Sequence, residues 1–260
     1  MLVAFLLFNS YNFFMITLPT YNKELLAAHD KIILGVSGGC DSMALLHILY
    51  TISKTLPLSL AVAHVNHSLR GKASDKDELF VKKQAERLQL PFFSQKVDIK
   101  KLARAKKLSL EDAARISRYT FFQELAKTLV FNKIALAHTL DDQAETIIMK
   151  LVRGAGTRGL GGIPELRYLS PVLSIIRPLL GAKKAELKKY CSANKLTWRE
   201  DLSNKQTDFL RNKVRINILP GLRRLNPNIL ETLNSMSTTI KEEDRYLDEL
   251  ANNALAKVIQ

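Results

Sequence analysis

Residues 37–42, Ser-Gly-Gly-Cys-Asp-Ser, put two adjacent glycines, two hydroxyls and a carboxylate between an apolar run at 31–36 (KIILGV) and a helix-spaced run at 43–50 (MALLHILY). Consecutive glycines let the backbone curl so that successive N–H groups point inward, and a helix starting there adds about half a positive charge at its N-terminus. A strand, a phosphate-sized turn and a helix start suit a pyrophosphate; the plainer reading is a glycine turn before a helix. The G-x-x-x-x-G-K-[ST] string does not occur and no lysine follows the glycines, so the phosphate loop of kinases and GTPases is excluded.

Three other segments concentrate polar chemistry. His138, Asp141, Asp142 and Glu145 follow a buried run at 133–137, where a helix start would put Asp142 and Glu145 on one face at i, i+3. Such carboxylates could hold Mg²⁺ or the amino group of a small substrate; the plainer reading is Asp141 as the N-cap of a helix with a solvated first turn. Arg115, Arg118 and Tyr119 share a face of a helix opened by Ser109, and two guanidiniums at that spacing meet a phosphate or form a solvated face. Arg211 and Arg215 are i, i+4 neighbours in a basic and apolar stripe that suits RNA phosphates or an amphipathic linker. Gly154, Gly156 and Gly159 match G-x-G-x-x-G but follow a helical pattern at 146–153 rather than a strand, so a dinucleotide role is disfavoured against a substrate-gripping loop carrying Arg153 and Arg158.

These groups need a frame. Apolar runs at 31–36, 58–64, 91–97 and 133–137 alternate with helical patterns at 43–50, 74–90 and 109–129, the repeated strand–helix–strand units of a parallel sheet covered by helices on both faces. In such sheets ligands bind beyond the carboxyl ends of the strands, where the glycine turn, residues 64–70 and residues 138–142 all fall. Residues 154–178, rich in glycine and spaced prolines, read as a mobile loop and irregular connections; 182–194 and the stretch from about Pro220 read as helices. The domain boundaries expected are an N-terminal extension at 1–20, a catalytic domain at 21–215 and a helical linker or truncated C-terminal region at 216–260. The apolar stretch at 2–8 lacks a preceding Lys or Arg and is too short to span a bilayer.

Of 260 residues, 47% are hydrophobic, enough for a sizeable core, and 39 Lys+Arg against 25 Asp+Glu give a net charge of +14 that suits a polyanionic partner. Cys40 and Cys191 form no C-x-x-C pair or metal cluster, which fits a reducing cytoplasm; Cys40 reads as a loop filler and Cys191 stands alone.

Residues 37–42 resemble the SGGxDS loop of the PP-loop ATP pyrophosphatases. Read with Asn66-His67-Ser68-Leu69-Arg70, the Arg115/Arg118-Tyr119 helix, the 138–146 cluster, the glycine-arginine loop at 153–162, Arg177-Pro178-Leu179-Leu180, Asp201 to Asn204 and Arg211-Asn212 to Arg215, the chain from 31 to 220 resembles the tRNA(Ile)-lysidine synthases. That resemblance implies a PP-loop fold of the adenine nucleotide alpha hydrolase type and a cytoplasmic carbon–nitrogen ligase. ATP adenylates the C2 oxygen of cytidine 34 in a CAU-anticodon isoleucine tRNA; free L-lysine then displaces AMP to give lysidine. It implies ATP binding by Ser37, Gly38, Gly39, Cys40, Asp41, Ser42, His64 and Arg70, with Asp41 also the Mg²⁺ partner. Catalysis falls to Asp41, Arg115, Arg118 and His138, lysine binding to Asp142 and Glu145, and tRNA contacts to Arg153, Arg158, Arg211 and Arg215. No membrane is implied, and a homodimer is left open. Typical members continue into further globular tRNA-binding domains. The alternatives are a PP-loop tRNA thiolase, which would use catalytic cysteines or a C-x-x-C cluster, and a non-catalytic adenine-nucleotide or RNA-binding module.

Overall fold

The computed structural model describes residues 19–69, 71–200 and 210–258. The N-terminal extension up to residue 18, Arg70, and Asp201 and Asn204 lie outside the described residues. The chain divides into two compact units, one of residues 1–137 and 165–200, the other of 138–164 and 201–260.

In the first unit, six strands among the described residues form one sheet in the order β3-β2-β1-β4-β6-β5. These are β1 (Lys31–Gly35), β2 (Ser59–Asn66), β3 (Phe92–Lys96), β4 (Lys133–Leu136), β5 (Leu166–Ser170) and β6 (Leu173–Ile176). The helices are α1 (Cys40–Ile52), α2 (Lys72–Arg87), α3 (Ile99–Lys106), α4 (Leu110–Leu129) and, after β6, α7 (Lys184–Ala193). Five strands run parallel, and only β5 is antiparallel, paired with β6. Residues 166–176 thus form an ordered hairpin where irregular connections are expected from the sequence. Its strands are short, and the exposed β5 residues Arg167 and Tyr168 give no buried run to read.

Side chains alternate along each strand, so one face receives Ile32, Leu34, Val62, Ala135 and Ile176 while the other receives Ile33, Ala63, Ile134, Leu136 and Ile175. Helices α1, α2 and α7 cover the first face through residues such as Leu45, Val81 and Leu187; α4 covers the second through Phe122 and Ala126. The near-continuous apolar strands follow from burial on both faces. Gly35 lets β1 pass beneath α4: a Cβ there would stand 2.8 Å from both Leu136 Cδ2 and Phe122 Cε2.

The second unit is helical. It comprises α5 (Leu140–Val152), α6 (Thr157–Leu160), α8 (Leu210–Lys213), a π-helical stretch (Val214–Ile218), α9 (Leu219–Leu225) and α10 (Ile229–Val258). Its core joins Leu140, Ala144 and Ile148 of α5 to Val214, Leu219 and Leu230.

Candidate active site

The phosphate loop is shaped by one hydroxyl. Ser42 Oγ, nearly buried in the first turn of α1, accepts from Ser37 N at 3.2 Å and Gly38 N at 3.1 Å and donates to Gly39 O at 2.9 Å. Ser37 Oγ lies 3.1 Å from it. Gly38 takes a φ of +90°, open to glycine at little cost, and a Cβ there would also stand a tight 3.3 Å from Val81 Cγ2. Gly39 is the N-cap of α1, and the only atom within 4 Å of its missing Cβ is Ser37 Oγ, at 3.6 Å. That bare side, at the positive end of a 13-residue helix, is where an anion can approach the backbone. Asp41 sits in the first helical turn, partly exposed.

A residue far along the chain braces the loop. Arg199 N donates to Gly38 O at 2.9 Å, and its Nε donates to Asp77 Oδ1 at 2.6 Å, so Arg199 fixes the loop's carbonyl while pairing with α2. No local pattern marks Arg199, which acts across 161 positions of sequence from Gly38.

Near the carboxyl end of β2, His64 Nδ1–H donates to Val36 O at 2.8 Å, which leaves Nε2 as the available nitrogen; burial pushes its pKa down, so the ring is neutral near pH 7. Asn66, 1% exposed, donates to Asp75 and Glu78 at 2.8 Å each and accepts from Ser68 N, fixing the turn. His67 is pushed down to about 4, first by burial and then by the nearby Arg118 guanidinium and His64. Arg118 therefore faces the β2 end of the site. On the same face of α4, the Arg115 guanidinium lies 5.8 Å from the Tyr119 ring centroid. Tyr119 in turn accepts from the buried Arg177 Nη2 at 3.3 Å. A cavity of about 380 Å³ opens beside it, lined by Arg115, Ile116, Tyr119, Gln123 and Arg167 among others. Burial holds the Arg177 guanidinium below its ordinary pKa, and the charges of Arg167 and Arg115 add to that.

In the second unit, α5 opens with a capping box: Thr139 Oγ1 accepts from Asp142 N, and Asp142 Oδ2 accepts from Thr139 N at 3.0 Å. The cap is thus Thr139 with Asp142 answering it from the third position, not Asp141, the capping residue expected from the sequence. His138 lies half-buried just before it. Glu145, with a side chain 1% exposed, accepts from Arg215 Nε at 2.6 Å and Nη2 at 2.9 Å and from Arg211 Nε at 3.0 Å. Arg215 also lies 3.8 Å from Asp142. The expected lysine-binding residues Asp142 and Glu145 thus meet two of the expected tRNA-binding residues, Arg211 and Arg215, in one ion-pair cluster.

The glycine-arginine segment is also more ordered than a mobile loop. Gln143 Oε1 accepts from Ile163 N at 2.6 Å, its Nε2 donates to Ser237 Oγ at 3.4 Å, and Ser237 donates to Gly161 O at 2.6 Å. Gly162, at φ +69°, has Gln143 Oε1 2.6 Å from where a Cβ would sit. Arg158 pairs with Asp244 and Asp248 of α10, and Arg153 is the exposed C-cap of α5.

The two cysteines are not apart. Cys191, buried in α7, points its Sγ at the backbone oxygen of Cys40 at 3.6 Å. The Cys40 side chain and burial push the Cys191 thiol up and leave Cys40 the more acidic sulfur.

A family model described as the PP-loop domain matches residues 15–222. The chain belongs to the PP-loop domain family. It is 41% identical over 234 residues to a tRNA(Ile)-lysidine synthase of Clostridium acetobutylicum, covering 89% of this chain and 50% of that protein. It is 43% identical to one from Geobacter sulfurreducens, over 88% of this chain and 48% of the relative. A third, from Petrotoga mobilis, is 42% identical over 78% and 64% of the two chains. The chain thus spans about half the length of the first curated relatives it matches. Among solved structures, the U34-tRNA thiolase NcsA from Methanococcus maripaludis with its [4Fe-4S] cluster aligns with a TM-score of 0.72 at 19% identity, covering 86% of this chain and 75% of that one. At that identity the likeness establishes the fold alone. No helix among the described residues is long and apolar enough to cross a membrane.

Proposed function

We propose that the chain carries the adenylating and lysine-transferring part of a tRNA(Ile)-lysidine synthase. The observation that carries this reading is the 41% identity to such a synthase over 234 residues, a stretch that must include most of the phosphate loop, arginine helix and Asp142–Glu145 elements described above. In the first step, the C2 oxygen of cytidine 34 attacks the α-phosphorus of ATP. The Pα–O bond to the β-phosphate breaks and pyrophosphate leaves. The bare face at Gly39 and the dipole of α1 receive that pyrophosphate charge, with Ser37 and Ser42 holding the loop's shape through the Ser37 and Gly38 amides and His64 offering Nε2 to the nucleotide. Arg115 and Arg118 are proposed to neutralise charge on the adenylated base, with His138 assisting.

In the second step, the ε-amino nitrogen of lysine, having shed its proton, attacks C2, and AMP departs with the oxygen. Glu145 and Asp142 are the proposed partners of the lysine ammonium. Because Glu145 is already held by Arg211 and Arg215, lysine must exchange with a guanidinium; an RNA phosphate drawing those arginines away would free the carboxylate. Arg153 and Arg158 are the further proposed tRNA contacts.

Mg²⁺ fits this donor set as an ion that travels with the triphosphate. Among the described residues no group of three His, Cys, Asp or Glu could hold a metal alone, whereas one carboxylate plus phosphate oxygens is its usual arrangement. Asp41 would hold it, and the ion would supply charge neutralisation of the departing pyrophosphate.

The test is incubation of the chain with ATP, labelled lysine and unmodified CAU-anticodon isoleucine tRNA. Label retained in the RNA, and lost when cytidine 34 is replaced by uridine, is expected. ATP binding with neither lysine in the RNA nor AMP released would refute the assignment.

A further inference from the structure

We propose that Cys40 and Cys191 are a redox modification site: a peroxide converts them into a disulfide that switches off the phosphate loop, and a dithiol restores it. They are the chain's two cysteines, 151 positions apart, yet Cys191 Sγ lies 3.6 Å from the Cys40 backbone oxygen. Cys191 belongs to the core cluster that packs α1 and α7 against the sheet, and Cys40, partly buried, packs against that cluster. With the Cys191 sulfur already against the Cys40 backbone, rotation of the Cys40 side chain can close an S–S bond of about 2.05 Å.

The two sulfurs differ in access. Cys40 opens α1 inside the ATP loop and is partly exposed, whereas Cys191 is fully buried behind it. That is the arrangement of an attacked and a resolving thiol. The Cys40 sulfur attacks a peroxide oxygen, the O–O bond breaks, and Cys40 becomes a sulfenic acid with release of one water. The Cys191 sulfur then attacks the Cys40 sulfur, the S–O bond breaks, and a second water leaves. Two thiols lose two electrons and two protons, and one hydrogen peroxide becomes two waters.

The functional consequence follows from what the bond would pull. Cys40 is the first residue of α1, directly after the loop's glycines, and the segment after α7 already grips Gly38 O through Arg199 N at 2.9 Å. Drawing Cys40 toward α7 shifts the Gly39–Cys40 peptide relative to a loop otherwise set by Ser42. The effect on nucleotide rests on the reading of this loop as an ATP site; the bond itself does not.

The test uses the reduced full chain, treated with a small excess of hydrogen peroxide. The expected results are an intact mass lower by about 2 Da, a peptide linking Cys40 to Cys191, and ATP affinity at least tenfold weaker, all reversed by dithiothreitol. C191S should bind ATP like the parent when reduced, and on oxidation should gain oxygen at Cys40 with no loss of mass; C191A serves if the serine variant does not fold. Oxygen added to Cys40 in the parent chain without a linked peptide would overturn the site. A linked peptide with unchanged ATP affinity would overturn the switch. Reduced protein that binds no ATP would sink the reading of the loop and the switch with it, while the linked peptide would still decide the site.

Discussion

Gly39→Ala separates what the loop needs for folding from what it needs for phosphate. Gly39 has φ −75° and ψ 164°, a conformation any residue adopts, and an added methyl would touch only Ser37 Oγ at an ordinary 3.6 Å. The fold therefore loses nothing, and the restricted unfolded chain contributes roughly 0.4–1 kcal/mol in favour of the variant. The same methyl stands on the bare side of the α1 N-terminus, where a phosphate must come within hydrogen-bond reach of the amides. Loss of one charge-assisted hydrogen bond there is worth about 1.5–3 kcal/mol, a weakening of ATP binding of roughly 10- to 150-fold. Ser42→Ala should instead lose both, because removing its hydroxyl leaves the Ser37 and Gly38 amides without their acceptor, at about 1–3 kcal/mol. Urea denaturation and equilibrium dialysis with labelled ATP read the two quantities. G39A with the parent's ATP affinity, or with stability lowered by more than about 1 kcal/mol, would refute the assignment of that face to phosphate.

Glu145→Gln should lower stability by about 2–4 kcal/mol in urea, because it leaves two half-buried guanidiniums facing each other, and Arg215→Gln added to it should recover part of the loss; an unchanged midpoint would contradict the ion-pair cluster. Gly35→Ala should cost about 1–3 kcal/mol through overlap with Leu136 and Phe122, seen as a lower Tm, and a neutral result would mean that the β1–α4 packing is looser than it looks. His67, pushed down to about 4 in the fold, is neutral where the unfolded chain's histidine takes a proton. Stability is thus full above pH 6.5 and is lost as the pH falls toward 4, by up to about 2 kcal/mol after allowance for partial exposure. Urea midpoints at pH 7 and 4.5 check this, and His67→Asn should flatten the slope; stability rising on acidification would run against it.

The strands and helices of the first unit were legible because a two-sided parallel sheet writes each strand as an unbroken apolar run and each covering helix as a 3.6-residue pattern. The β5–β6 hairpin was not, since Arg167 and Tyr168 on its edge strand are exposed and its prolines suggest loops. Local chemistry survived well: Ser109 does cap α4, and residues 37–42 do form a turn into a helix. What could not be read is who meets whom. Arg199 bracing Gly38, Gln143 clamping the glycine-rich segment, and Cys191 against Cys40 are contacts between residues of no special local pattern. Charged residues at helix spacing announced a role without a partner. The same Arg211 and Arg215 that suit RNA phosphates close on Glu145, and no periodicity tells an outward guanidinium from one folded back onto a carboxylate.

The central claim is that this phosphate loop spends ATP on an RNA base, and it is tested most directly by omitting lysine. With ATP labelled at the α-phosphate and CAU-anticodon isoleucine tRNA, the label should join the RNA at nucleotide 34 as AMP, pyrophosphate should appear in equal amount, and added lysine should release free AMP. Label that never enters the RNA, with ADP as the product or with AMP formed at the same rate without tRNA, would contradict it.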